Sequence, residues 1–358
     1  MRRLLYPLLL VAGLQAQAQD VIRFYSWKDY FDPAVLKDFE AQTGIRVDYQ
    51  AYTTVQELNQ ALRDGEAYDL IVPSHFMLKQ LIAEQRLTRL DVRRLPSYSQ
   101  LDPWLLSMLA GIPAANQYSV PYLWGSIGLA INTQTAQAIY ADALPNSWAL
   151  LFDEAHSAQL SACGIGLPDA PEEVTSVLLN YQGRRLSASG NRQIARSVQT
   201  LTPLAPLLRA LDNWEHIDAL AAGRLCLAMT WSGHALKAMH DNPRLTYRIP
   251  QEGSAIYIDT LAIPSNASQP ELAYRLIDFL IAPDNIVRNA LATKFYAPLP
   301  SDATALQTLI EENPLQVLSP AQRRRSYLLE SLLPAQKQTL EQSWQQFKSA
   351  ASKVQPTP

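Results

Sequence analysis

The sequence is poor in cysteine and glycine: among 358 residues there are only two cysteines, Cys163 and Cys226, and 13 glycines. Two cysteines so far apart exclude a CxxC redox pair and a zinc ribbon, whose ligands come in close pairs. So few glycines beside 24 prolines exclude a collagenous or low-complexity chain. An excess of one charge is missing too, since 30 Lys and Arg face 33 Asp and Glu. A nucleic-acid partner needs a clustered basic surface, so that class is excluded. The five histidines, His75, His156, His216, His234 and His240, form no HExxH pair, and no GxSxG elbow occurs. Gly164-Ile165-Gly166 lacks the third glycine of a dinucleotide loop, and Leu167-Pro168 does not open the helix such a loop needs. Neither an enzyme nor a metal or cofactor is expected.

Long apolar runs are also absent. Crossing a bilayer takes roughly 20 apolar residues, and the run from Leu4 to Leu14 falls well short. Arg2 and Arg3 precede it and Ala16-Gln17-Ala18 follows, the pattern of a secretory signal cut after Ala18. The alternative, an N-terminal core helix, is opposed by Pro7 and Gly13. With no cysteine at that junction, a lipid anchor is not expected. The mature protein is expected to be exported to the periplasm and soluble. In an oxidising compartment Cys163 and Cys226 read as one structural disulfide, with two buried free thiols as the alternative.

What the chain does contain is an alternation of strands and helices. Val21 to Tyr25 reads as a strand. Pro33 opens a helix whose face is Val35, Leu36 and Phe39, and Gly44 stops it. Ile45 to Tyr49 alternates as a second strand, a helix covers Val55 to Leu62, and Tyr68 to Ser74 is a buried strand. This order predicts an open α/β sheet, whose ligands bind beyond the carboxyl ends of the strands. Trp27 to Tyr30, Ser74 and Trp231 to His234 all stand at such ends. Tyr122 to Asn132 and Ile256 to Ile263 are long extended runs suited to crossing between two lobes. Ser268 and Glu271 have the spacing of a capping box. Glu172-Glu173 has the form of a solvated helix start, and Arg323-Arg324-Arg325 that of a solvated helix face.

Several blocks resemble the periplasmic polyamine-binding proteins of ABC transporters. They are Phe24 to Phe31, Phe39 to Val47, Tyr68 to Ser74, Val120 to Gly125, Asp169 to Val174, Trp231 to Gly233, Ile249 to Gly253 and Tyr257 to Pro264. Together they run in order through the whole mature chain, and Asp169-Ala170-Pro171-Glu172-Glu173-Val174 with its flanking cysteines resembles the putrescine-binding branch. The resemblance implies a type II-like periplasmic binding protein fold: two lobes, each an open, mostly parallel sheet flanked by helices. Residues 1–18 would be the signal, 19–127 plus 258–302 the first lobe, and 128–257 plus 303–358 the second. It also implies a ligand site of Trp27, Lys28, Asp29, Tyr30, Ser74, Phe76, Glu173, Trp231, His234, Tyr257, Asp259 and Tyr296. The implied partners are a small polyamine and an inner-membrane ABC permease, with the protein itself a monomer.

The residue types suit a cation independently. Burying an ammonium is costly unless it meets carboxylates and acceptors, which Asp29, Glu173 and Asp259 can supply. Trp27, Trp231, Tyr257 and Tyr296 can flank methylenes and add about 0.5–2 kcal/mol per cation–π contact. Two positions depart from the family's pattern: Lys28 replaces a small hydroxyl residue, and His234 an aspartate. An ammonium about 5 Å from Lys28 would be repelled by roughly 3 kcal/mol at an effective dielectric of about 20, unless the side chain snorkels outward. Two further readings keep the fold: a ligand carrying a carboxylate, such as an amino-acid-like compound, and a sensor that contacts a receptor rather than a permease.

Overall fold

The computed structural model describes residues 20–140 and 143–352. The expected signal cleavage after Ala18 lies outside the described residues. Three parallel strands, β1 (Val21–Trp27), β2 (Arg46–Tyr52) and β3 (Leu70–Ile71), form a sheet in the order β2-β1-β3. The helix Pro33–Thr43 joins the first two. Asp32 caps it by accepting from the Ala34 N–H, proline fits its first turn, and Gly44 ends it at φ 72°, in the left-handed region. The helix Val55–Arg63 returns the chain to β3, capped by Thr54 through the Glu57 N–H.

A larger sheet contains β4 (Val120–Asn132), β5 (Ile165–Leu167), β6 (Leu208–Leu211), β7 (Leu227–Trp231), β8 (Leu245–Arg248), β9 (Ser254–Leu261) and β10 (Ser326–Leu328). Its order is β10-β9-β4-β7-β5-β6, with β8 also paired to β4. β5 runs parallel to β6 and β7, whereas β4 is antiparallel to β7, β8 and β9. This second sheet is therefore mixed. Every residue of β4 and β9 is buried, Ser126, Asn132, Asp259 and Thr260 included, so neither strand alternates between apolar and exposed positions.

These two strands are shared. The first half of β4 pairs with the second half of β9, and its second half runs alongside β7 and β8. β9 in turn meets the first sheet through bridges Ile71–Ala262 and Ser74–Asp259. Cys163 and Cys226 are joined, with Cα atoms 5.5 Å apart. In the chain-entropy account a link closing a loop of this size contributes about 3–4 kcal/mol.

Two local expectations are corrected. Ser268 does not cap the helix Pro270–Ile281; its hydroxyl and N–H both turn to Asp69, at 2.9 Å each. Arg323 is not part of a solvated face. Its guanidinium pairs with the buried Asp102 at 2.7 Å and stands 4.8 Å over the Trp104 ring. Beyond Asp302 that pair ties the chain back to the segment before β4. Gln316 adds to it, donating to the carbonyls of Ala290 and Phe295. β10 then joins β9 beside Ser254 to Ile256, and the helix Pro334–Ser352 packs on the helix Asn191–Gln199.

Candidate ligand-binding site

β1 ends at Trp27, whose half-buried ring lies 4.6 Å from that of Tyr52. The next two side chains, Lys28 and Asp29, are exposed. Asp29 takes a left-handed conformation, φ 55°, which aspartate tolerates better than most residues. That turn brings Tyr30 inward, and its hydroxyl donates to Asp259 Oδ2 at 2.5 Å. Ser74, opposite Asp259 across the strand bridge, donates to the other oxygen, Oδ1. Asp259 is only 5% exposed and has no cationic partner among the described residues. Burial pushes its carboxyl up to about 6, against the pull of the two hydroxyl bonds.

Glu173 stands in the first turn of the helix Pro171–Tyr181, which packs on β9. Its carboxyl is pushed further, to about 8, by desolvation in the cleft first, then by the charges of Glu172 and Asp259. Only its own backbone N–H opposes this. At neutral pH Glu173 therefore holds a proton, which a side chain read as a plain acidic helix start does not suggest.

The second lobe supplies aromatic walls. Trp231 ends β7, and His234 follows in the first turn of the helix Ser232–Asp241. The His234 ring lies 5.4 Å from Trp231 and 5.7 Å from Phe295. Burial, then His216 and Lys237, hold its imidazole down at about 3, so it is neutral in the working range. Phe295 joins the two halves of the site, 5.0 Å from Tyr30 and 6.2 Å from Tyr257. Among the described residues, the buried Trp27 Nε1 and His234 Nδ1 have no hydrogen-bond partner here.

Two expected residues sit differently from the rest. Tyr296 is buried, bridged to the Trp124 backbone, with its hydroxyl 3.2 Å from Ser126 Oγ. Phe76 is half-buried in the helix His75–Ala83, and its carbonyl accepts from Ser331 at 2.8 Å.

Reading the sequence misses Phe295, Trp214 and His75. Phe295 adjoins Tyr296, and Trp214 follows the carboxyl end of β6, so position was a usable signal for both. His75 had none. Its Nδ1 accepts from the Ile258 N–H at 3.1 Å and its Nε2 lies 2.7 Å from the Leu329 carbonyl, tying a first-lobe helix to the crossing strands. Burial holds this imidazole at about 4, hence neutral. Among the described residues no group of three acidic, histidine or cysteine side chains is arranged for a metal.

Comparisons with known proteins bear on the family and the fold. The chain is 30% identical over 312 residues to the putrescine-binding periplasmic protein PotF of Escherichia coli, covering 84% of each. It is 31% identical over 327 residues to a putrescine/agmatine-binding protein of Pseudomonas aeruginosa, covering 88% of each. The fold superposes on the TpPotD lipoprotein of Treponema pallidum with a TM-score of 0.81 at 22% identity, covering 92% of this chain and 100% of that one. Residues 34–315 match the pattern of the bacterial extracellular solute-binding proteins, and it is to this family that the chain belongs.

Proposed function

We propose that the protein is a periplasmic binding protein that closes its two lobes on a polyamine, putrescine or a similar diamine, and delivers it to an ABC permease. One observation carries this reading. Asp259, buried and held by Tyr30 and Ser74, has no cationic partner among the described residues and lies near enough to Glu173 for their charges to interact, with the Tyr30, Phe295 and Tyr257 rings packed on one another beside it. A buried carboxylate kept without a partner is costly, and an ammonium relieves that cost. Trp27, Trp231, Tyr257 and Phe295 then flank the methylenes, while Lys28 and Asp29 form the exposed rim. Phe76, His234 and Tyr296 complete the proposed site. A third crossing after Arg325, rather than at Asp302, is supported by the contacts of Gln316 and Arg323.

A second reading has its own observation. Among the described residues Trp27 Nε1 is a donor without a partner, and Lys28 follows it directly. Both would suit a ligand with an acceptor at one end, such as an amino-acid-like compound.

Thermal unfolding of the ligand-stripped mature protein separates the two readings. The panel is putrescine, cadaverine, agmatine, spermidine and ω-amino acids. Ligand at 100 times Kd adds about 2.7 kcal/mol, a rise of about 4 °C for a chain of this size. The polyamine reading expects that rise with a diamine, in the wild type and in Lys28→Ser. A rise only with a carboxylated compound, lost in Lys28→Ser, overturns it.

A further inference from the structure

The helix Pro171–Tyr181, which carries Glu173 in its first turn, starts without a side-chain cap, because its N-cap residue is Ala170. Asp169, one position earlier, is of a type that caps helices, yet its carboxylate turns elsewhere. Oδ1 accepts from Trp344 Nε1 at 2.7 Å and Oδ2 from the Lys348 ammonium, both on the helix Pro334–Ser352. The Asp169 carbonyl accepts from Asn213 Nδ2 at 3.2 Å. The start of the Glu173 helix is thus held from outside, by the last helix of the described chain.

The donors that hold Asp169 are themselves fixed. Leu340, Trp344, Phe347 and Ala351 recur at helical spacing and are all buried, and the Trp344 ring lies 5.0 Å from that of Phe347. The same helix packs on the helix Asn191–Gln199 and on the helix that bears Glu173. An indole N–H set in the core gives a loop a rigid point of attachment, and the Lys348 ammonium adds a charge-assisted bond. Other charges bear on this turn: Glu172 and Asp259 act on Glu173, and Lys337 and Glu341 of the C-terminal helix act on Glu172. A binding group must be held to within about 0.5 Å of its productive place, and Asp169 is the nearest such hold before Glu173.

Resting on the polyamine reading above, we infer that Asp169 is a positioning residue: clasped by Trp344 and Lys348, it sets where the Glu173 carboxyl meets an ammonium of the ligand. Calorimetric titration with putrescine at pH 6 and pH 8.5 tests this in the ligand-stripped wild type, Asp169→Ala, Glu173→Gln and the double variant. A residue acting only through Glu173 costs no more than Glu173 itself, about fivefold at pH 8.5. Asp169→Ala should therefore weaken binding about threefold at pH 8.5 and hardly at pH 6, and should cost nothing further in Glu173→Gln. Trp344→Phe keeps a ring and removes the donor; it should give about twofold with the same pH dependence, and it decides if the alanine variant does not fold. Equal weakening at both pH values, or losses that add in the double variant, mean a general structural role, and no weakening means the clasp does not reach the site; each overturns the inference. So does a Glu173→Gln variant that binds like the wild type at pH 8.5. A wild-type chain that binds no polyamine overturns the polyamine reading itself, and this inference with it.

Discussion

Asp259 and Glu173 stand on different elements, near enough for their charges to interact, and both are desolvated, yet they are held differently. Asp259 receives hydroxyl bonds from Tyr30 and Ser74, while Glu173 receives only its own backbone N–H and stands beside Glu172. The outcome is a carboxyl at about 6 in one case and about 8 in the other. Burial sets the direction for both, and local donors and charges decide how far each goes. Near pH 7 the pair thus carries about one negative charge, and a dication favours the form with two.

The comparison breaks first at Asp259. Asp259→Asn removes the ionised group while keeping its shape, and affinity for a diamine should fall about a hundredfold or more by calorimetry. Unchanged affinity would mean that Asp259 is not the anchor. Ser74→Ala sharpens the contrast by taking away one donor. Asp259 should then titrate closer to Glu173, lowering affinity about tenfold at pH 7 and moving the rise of affinity with pH upward; an unmoved pH profile would refute the donor's role.

Glu173→Gln is the mildest of the three. The ionised acid favours ligand, so wild-type affinity should climb between pH 6 and pH 8.5 as Glu173 loses its proton. The glutamine variant should bind about fivefold more weakly at pH 8.5 and nearly as well at pH 6. Stability of the unliganded protein runs the opposite way. Folding raises this carboxyl's pKa, so its contribution is complete below the ordinary value of 4.5 and is lost as pH rises through about 8. The melting temperature should accordingly fall toward pH 8 in the wild type and fall less in Glu173→Gln.

Much of the fold is legible in the sequence because its signals are local. Pro33 and Gly44 bracket a helix within a dozen residues, and the buried β4 and β9 stand out as long extended runs. The misreadings share one cause, a partner far away in the chain. Ser268 has the right spacing for a cap, but Asp69, distant in sequence, engages it first. Arg323 looks solvated beside two more arginines until Asp102 and Trp104 are brought beneath it. In the site, residue types at strand ends pointed to Trp27, Tyr30, Ser74 and Trp231. The proton on Glu173 and the neutrality of His234 were not legible, since both follow from what surrounds the group rather than from what it is.

The paired crossing strands have a consequence for the entropy of capture. Two separate bodies that clamp one ligand lose translational and rotational freedom, on the order of 4–15 kcal/mol. Here β4 and β9 are hydrogen-bonded to each other while reaching into both lobes, so that freedom is surrendered when the chain folds. What is left to the lobes is mainly a bend across one ribbon, and the contacts of a small ligand have only that motion to arrest.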